Sequence, residues 1–255
     1  MAKVTDVLNF LDGEIPFKNK YEWDNCGLLI GDENAEINKI GFTLDLTKRT
    51  LQTAIRNGVN LIITHHPAIF HPQKNFLKGN VIFEAAVNNI SVISSHTCYD
   101  SAKGGVSEIL AERIGLKDIR IVETEEKPYC VRIGKIDAVS PGEFAQIVAE
   151  RLDTTVRFTE GKNLIKTVAV CSGSGGDFVS DALKAGADAY VTGDISHHHF
   201  LIGEETGLTI IGAGHFETEN IAMKPLMQRI NNKFGDIETM ELSQKNPVVY
   251  VSPKE

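Results

Sequence analysis

Nowhere in the 255-residue chain do about 18 uncharged apolar residues follow one another, so no membrane-spanning helix is expected. The opening residues Met1-Ala2-Lys3-Val4-Thr5-Asp6 lack the apolar core of a secretion signal. Cysteine is scarce as well. Cys26, Cys98, Cys130 and Cys171 lie far apart and form no CxxC pair, which excludes a disulfide framework and a thiolate zinc site. Unpaired thiols fit a reducing compartment, and a cytoplasmic location is the expectation. Basic residues are in the minority: 26 Lys and Arg stand against 34 Asp and Glu, a net charge of −8, with no basic run to offset it. Without a basic face the chain is a poor candidate for gripping nucleic-acid backbones. Low-complexity stretches are absent too.

What is present is an ordinary globular composition, 42% hydrophobic and 24% charged. A chain of this length buries roughly 70–75% of the surface it would expose unfolded, so it needs no metal or disulfide merely to fold. The periodicity reads as alternating helix and strand. Val4, Val7, Leu8 and Leu11 share a helical face, and Trp23–Gly31 reads as turn residues followed by a short apolar strand. Ile40, Phe42 and Leu44 alternate as a strand would, and Thr47 to Asn57 has helical character ending at Gly58. Leu61-Ile62-Ile63 is a continuous apolar run, the mark of a strand buried on both faces. Such βαβ alternation implies parallel strands.

The order of features then repeats. Gly58–Thr64 aligns with Gly186–Thr192 at a constant offset of 128 residues. A helix precedes each copy, and a second helix and strand follow. Those strands, Ile90–Ile93 and Leu208–Ile211, lead to His96-Thr97-Cys98-Tyr99-Asp100 and His215-Phe216-Glu217-Thr218-Glu219. In both copies an acid follows a histidine by four positions. The expected architecture is α/β: two similar, duplicated α/β lobes with mixed sheets facing a shared, metal-containing cleft. The charged segment Glu123–Pro128 suggests a linker, giving lobes at 1–124 and 125–255. Pro247–Val251 reads as one more strand, at an edge or returning to the first lobe.

His65 and His66 follow the buried strand directly. Adjacent strand residues point to opposite faces, so the pair reaches two different ions more readily than one, unless one ring packs and the other meets water. His215 and Glu219, at i and i+4, share a helix face, and Asp100 holds the equivalent place in the first lobe. Together they offer three imidazoles and two carboxylates just past the ends of central strands. That donor set suits two divalent ions of zinc, iron, manganese, nickel or cobalt, with a bridging carboxylate and water completing open coordination. His96 suits either support of a ligand or proton transfer with a substrate, or it is a satisfied structural histidine. The loop Ser172–Gly176 could cradle a phosphate or simply be a tight turn. One of His197, His198 and His199 could reach the cleft while the others stay solvated.

Trp23–Leu28, Thr64–Pro67, His96–Asp100, Ser172–Gly175, Thr192–Asp194 and Gly214–Glu219, in this order over nearly the whole chain, resemble the GTP cyclohydrolase I type 2 homologues, also called Nif-three-like proteins, in their short form. The resemblance implies a dinuclear metal site with His65, His66, Asp100, His215 and Glu219 as ligands, Glu219 bridging, in a toroidal homohexamer. Glu217 and the triple histidine depart from the family pattern. The function expected is metal-dependent hydrolysis of a nucleotide or related small molecule. The alternative is a non-catalytic metal-binding ring that recruits a partner or regulates it.

Overall fold

The computed structural model describes residues 2–251. Its first sheet comprises β1 (Gly27–Ile30), β2 (Lys39–Thr43), β3 (Leu61–Thr64), β4 (Ser91–Ser94) and β11 (Glu238–Glu241), in the order β1-β4-β3-β2-β11. The second comprises β5 (Lys117–Ile121), β6 (Arg132–Val139), β7 (Arg157–Phe158), β8 (Ile165–Cys171), β9 (Ala189–Thr192) and β10 (Thr209–Gly212), in the order β5-β6-β8-β9-β10-β7. Both sheets are mixed, and the α/β architecture expected from the alternation is present.

The repeat is visible strand by strand. β2, β3 and β4 run parallel, with β1 antiparallel on β4. β8, β9 and β10 run parallel, with β7 antiparallel on β10. The helices repeat in the same order. In the first half they are α1 (Val4–Glu14), α2 (Lys48–Arg56), α3 (Val81–Val87), α4 (Thr97–Ser101) and α5 (Val106–Arg113). In the second they are α6 (Pro141–Leu152), α7 (Val179–Lys184), α8 (His197–Thr206), α9 (His215–Asn220) and α10 (Met223–Lys233). Local signals set several of their ends. Thr47 and Ser140 close capping boxes with Thr50 and Glu143, and Pro141 pre-sets the first helical turn of α6.

The central strands β3, β4, β9 and β10 are covered on both faces, which is why every residue of them is buried. In the first sheet Ile40, Phe42, Leu61 and Ile63 pack towards α1, α5 and α10, while Ile62 and Val92 pack towards α2 and α3. In the second, Val168, Val170 and Val191 face α5 and α6, and Ala169, Tyr190 and Ile210 face α7. Helix α5 belongs to both cores: Val106 packs into the first and Leu110 and Ala111 into the second. The lobes are thereby locked face to face.

The strand after α5 and the strand after α10 each leave their own half. β5 pairs with β6 in the second sheet, and β11 pairs parallel with β2 in the first. A division at residue 125 thus falls after β5, and sheet membership crosses it in both directions. The last strand is not the apolar segment expected from sequence. Among the described residues Pro247–Val251 has no strand partner, and Val249 is 81% exposed. The place beside β2 in the first sheet is taken instead by Glu238–Glu241.

Leu242, just past β11, is buried against Gly41, where any side chain would overlap it. Leu242→Ala should lower stability by about 2–5 kcal/mol in urea unfolding.

Candidate metal centre

All the chemistry-bearing residues sit at the carboxyl ends of the parallel strands, where open α/β sheets bind ligands. β3 runs into His65-His66, and β4 into His96 and the short α4 that carries Asp100. β10 runs into α9, which opens on His215 and carries Glu219 one turn later. β2, β8 and β9 lead into Asp45, Ser172 and Asp194.

The chain turns sharply after β3. Thr64 donates from its hydroxyl to the His66 carbonyl at 2.8 Å, and the two rings, 5.1 Å apart, both reach the cleft. Adjacent residues therefore converge on one pocket, each in its own carboxylate-containing group and both in a third. His65, Asp100 and Glu219 form one group of donor atoms within metal-sharing range, His66, His215 and Glu219 another, and His65, His66 and His96 a third.

The second group closes tightly. Glu219 Oε2 lies 2.9 Å from His66 Nε2 and 3.0 Å from His215 Nε2, and those nitrogens are 3.3 Å apart. In the first, His65 Nε2 lies 3.6 Å from Asp100 Oδ1 and 3.7 Å from Glu219 Oε1. Those separations exceed a hydrogen bond, and they are close to the roughly 3.0–3.5 Å between neighbouring ligands of an ion with bonds of about 2.0–2.2 Å. His65 Nε2 and Glu219 Oε2 are buried, and His65 Nε2 has no hydrogen-bond partner.

The outer nitrogens explain why the inner ones are free. His65 Nδ1 donates to the Ser95 carbonyl at 2.9 Å. His66 Nδ1 lies 2.7 Å from Asp45, His215 Nδ1 2.7 Å from Asp194, and His96 Nδ1 2.8 Å from Asp24. Each of these contacts places a proton on Nδ1 and aims an Nε2 lone pair into the cleft, the arrangement that fixes metal-binding histidines. Asp24, Asp45 and Asp194 are the functional residues that reading the sequence missed. Asp194 alone carried a signal, since it stands at the offset-128 equivalent of His66. Asp45 is held in turn by Gln244, which lies beyond β11 and also accepts a hydrogen bond from the Asp45 amide at 2.9 Å.

Charge follows geometry. Burial alone would raise the Glu219 pKa, but His65, His215 and His66 hold it well below the usual carboxylate range. Burial likewise raises Asp100 despite His65 beside it. Burial would lower His66 and His215, yet Asp45 with Glu219 and Asp194 with Glu219 outweigh it and raise them to about 9 and about 10. Asp24 is pushed down by His96 and Thr97 against the opposing effect of burial, so it stays ionised. Without a cation, a second proton on each of His66 and His215 is what reconciles their lone pairs with Glu219.

Two glycine amides of the Ser172–Gly176 loop are already committed inside the protein. The Gly173 and Gly175 N–H groups donate to Thr218 and Thr192 at 3.1 and 3.0 Å. Its glycines instead make room. At Gly173, with φ +60°, a Cβ would collide with Glu219 Oε1, and at Gly176 one would meet the His199 ring at 2.6 Å. Ser172 Oγ donates to Asp100 at 2.9 Å. Of the three consecutive histidines, His198 and His199 border a separate cavity of about 300 Å³ with Arg157 and Asp194 and belong to none of the donor groups.

Beside the donor groups opens a cavity of about 750 Å³, lined by His66, His96 and His215 and by Trp23, Phe70 and Phe178. Glu125 and Glu126, from the segment expected to be only a linker, form part of its rim.

Two facing α/β lobes with an imidazole–carboxylate pocket at their shared strand ends define a protein whose histidines and acids could hold a metal ion. The chain belongs to the Duf34/NIF3 (NGG1p interacting factor 3) family, whose model matches residues 2–247. Two curated relatives named GTP cyclohydrolase 1 type 2 homolog are similar throughout. The one from Clostridium perfringens is 30% identical, the match covering 98% of this chain and all of the relative. The one from Campylobacter jejuni is 32% identical, covering 97% and 99%. Among solved structures, a Staphylococcus aureus hypothetical protein superposes with a TM-score of 0.88 at 28% identity, covering 98% of this chain and 99% of that one. Reduced HcgD from Methanocaldococcus jannaschii superposes at 0.82 and 28%, covering 95% and 98%. Among the described residues no helix is long and apolar enough to cross a membrane.

Two measurements follow. Gly173→Ala should displace Glu219 and lower metal affinity by about 10–100-fold in a chelator competition while far-UV circular dichroism stays unchanged. Because His66 and His215 are protonated below about 9 and about 10, loading a divalent ion near pH 7 should release about two protons. Affinity should rise with pH and level off above that range. Calorimetry in buffers of different ionisation enthalpy reads the proton count, and a pH-independent affinity would contradict the arrangement.

Proposed function

We propose that the chain is a hydrolase dependent on two divalent metal ions per subunit, acting on a nucleotide or related heterocyclic small molecule. The observation that carries this reading is the shared Glu219. One of its oxygens faces His65 and the other faces His66 and His215, so a single carboxylate can bridge two ions. His65 and Asp100 would complete one side, and His66 and His215 the other. Five protein ligands leave positions open to water and substrate, as catalytic sites require. When bound, the ions would acidify water and polarise the bond under attack.

This chain's own residues supply the remainder. His96, with Nδ1–H committed to ionised Asp24, keeps its other nitrogen free on the cavity side to take a proton and return it to the leaving group. Asp45 and Asp194 hold the ligand rings in register. Trp23 and Phe70, tilted against each other, offer an apolar wall against which a heterocycle can orient. The names of the GTP cyclohydrolase relatives support the substrate class. Assembly as a toroidal homohexamer and residence in a reducing, cytoplasmic compartment, where four unpaired cysteines are stable, belong to the same proposal.

The test is metal analysis followed by a turnover screen of nucleotides, nucleosides and bases with Zn²⁺, Mn²⁺, Fe²⁺ or Co²⁺. His65→Ala should lose metal and activity together. His96→Gln should keep its metal and lower kcat by about 10²–10⁴-fold. Full activity in His65→Ala would reject the site, and a protein that loads ions but turns over nothing would favour the non-catalytic ring.

A further inference from the structure

The cavity beside the metal centre has a composition that selects its occupant. One wall is aromatic: Trp23, 59% exposed, stacks on Tyr21 with ring centroids 5.3 Å apart and planes 9° from parallel. Phe70 leans on the same indole at 5.8 Å, and His96 meets it edge-on at 6.2 Å. An exposed indole backed by a parallel phenol offers its outer face to a planar ring.

The opposite rim is acidic. Glu125, Glu126, Asp177 and Asp181 all line the cavity, and among the described residues no lysine or arginine does. The cations of the bordering loops are turned elsewhere: Lys20 donates to the Asp24 carbonyl at 2.6 Å, and the Lys127 ammonium lies over the Tyr129 ring. Deeper in, two divalent ions would bring four positive charges. Asp100, Glu219 and the three carboxylates behind the histidines more than cancel them before the rim is counted. A triphosphate of about four negative charges entering such a cleft meets a field of its own sign, focused by low-dielectric walls. The amides of Gly173 and Gly175, which could have met phosphate oxygens, are already donated to threonines.

We infer that the ligand of this cavity is a planar heteroaromatic molecule of zero or positive charge, stacked on Trp23 with a ring substituent turned to the metal pair, and that nucleoside triphosphates are selected against. The inference rests on the two-ion reading above and narrows its substrate class. Stacking on an indole face gains from a neutral or cationic ring, while the acidic rim penalises an anion.

Trp23 is the chain's only tryptophan, so intrinsic emission reports this wall directly. The zinc-loaded protein is titrated with guanosine and with GTP, which share a base and differ in charge, and calorimetry repeats both titrations. Zinc retention is measured alongside. Guanosine should quench Trp23 with a Kd at least about tenfold below that of GTP, and the gap should narrow at high salt. The double variant Asp177→Asn with Asp181→Asn should tighten GTP several-fold and leave guanosine unchanged. GTP binding as tightly as guanosine, no binding of guanosine, or a double variant without effect on GTP would each overturn the inference. Failure to take up zinc would instead refute the two-ion reading. The order of guanosine before GTP is also expected in the metal-free protein, where the field is more negative, so the two failures are separable.

Discussion

One buried carboxylate, Glu219, organises the molecule. Three imidazole nitrogens point at its two oxygens, and three of the four cleft histidines have their outer nitrogens tied to further carboxylates. Lone pairs from nitrogen and oxygen do not gather in a buried space unless positive charge sits among them. Protons on His66 and His215 can supply that charge, and so can metal ions. The raised pKa values of the two histidines and the missing partner of His65 Nε2 are two expressions of that requirement. Gly173 packs directly against the carboxylate, and Gly193 packs against Gly173, Thr218 and the His215 backbone behind it.

The duplicated architecture explains how such an arrangement arises from distant segments. Each lobe supplies a histidine and an acid four residues later, at the end of an equivalent strand. The lobes are not identical in content. Where the first has His65 and His66, the second has Gly193 and Asp194. Glycine there leaves room for the Gly173 carbonyl and the His215 backbone, and the aspartate orients His215 instead of binding. Two copies of one scaffold thus divide the work between ligand and support.

Much of this was legible in the residues. The βαβ rhythm, the repeat and the convergence of His65, His66, Asp100, His215 and Glu219 follow from strand-end placement, which periodicity and the offset of 128 reveal. The supports were harder to see. Asp24 lies 72 positions from His96, and Asp45 lies 21 from His66, with no local pattern to link them. β11, Glu-Thr-Met-Glu, carries no apolar signature because it is a partly exposed edge strand, whereas Val248–Val251 has the composition of a strand but pairs with none. The glycines of the Ser172–Gly176 loop announced close approach, but sequence alone does not say whether a ligand or another side chain comes near. Here it is Glu219 and His199.

The exchange of β5 and β11 has a consequence for the order in which the chain can mature. As it leaves the ribosome, the first sheet has its inner strands early but acquires its outermost one only near the end of synthesis, and Gln244 settles behind Asp45 at that same late moment. His215 and Glu219 also come from the last third of the chain. Until then His65 and His66 are exposed imidazoles with no acid to answer them from the second lobe. Closure of the imidazole–carboxylate pocket is accordingly tied to completion of the polypeptide and not to the folding of its first half.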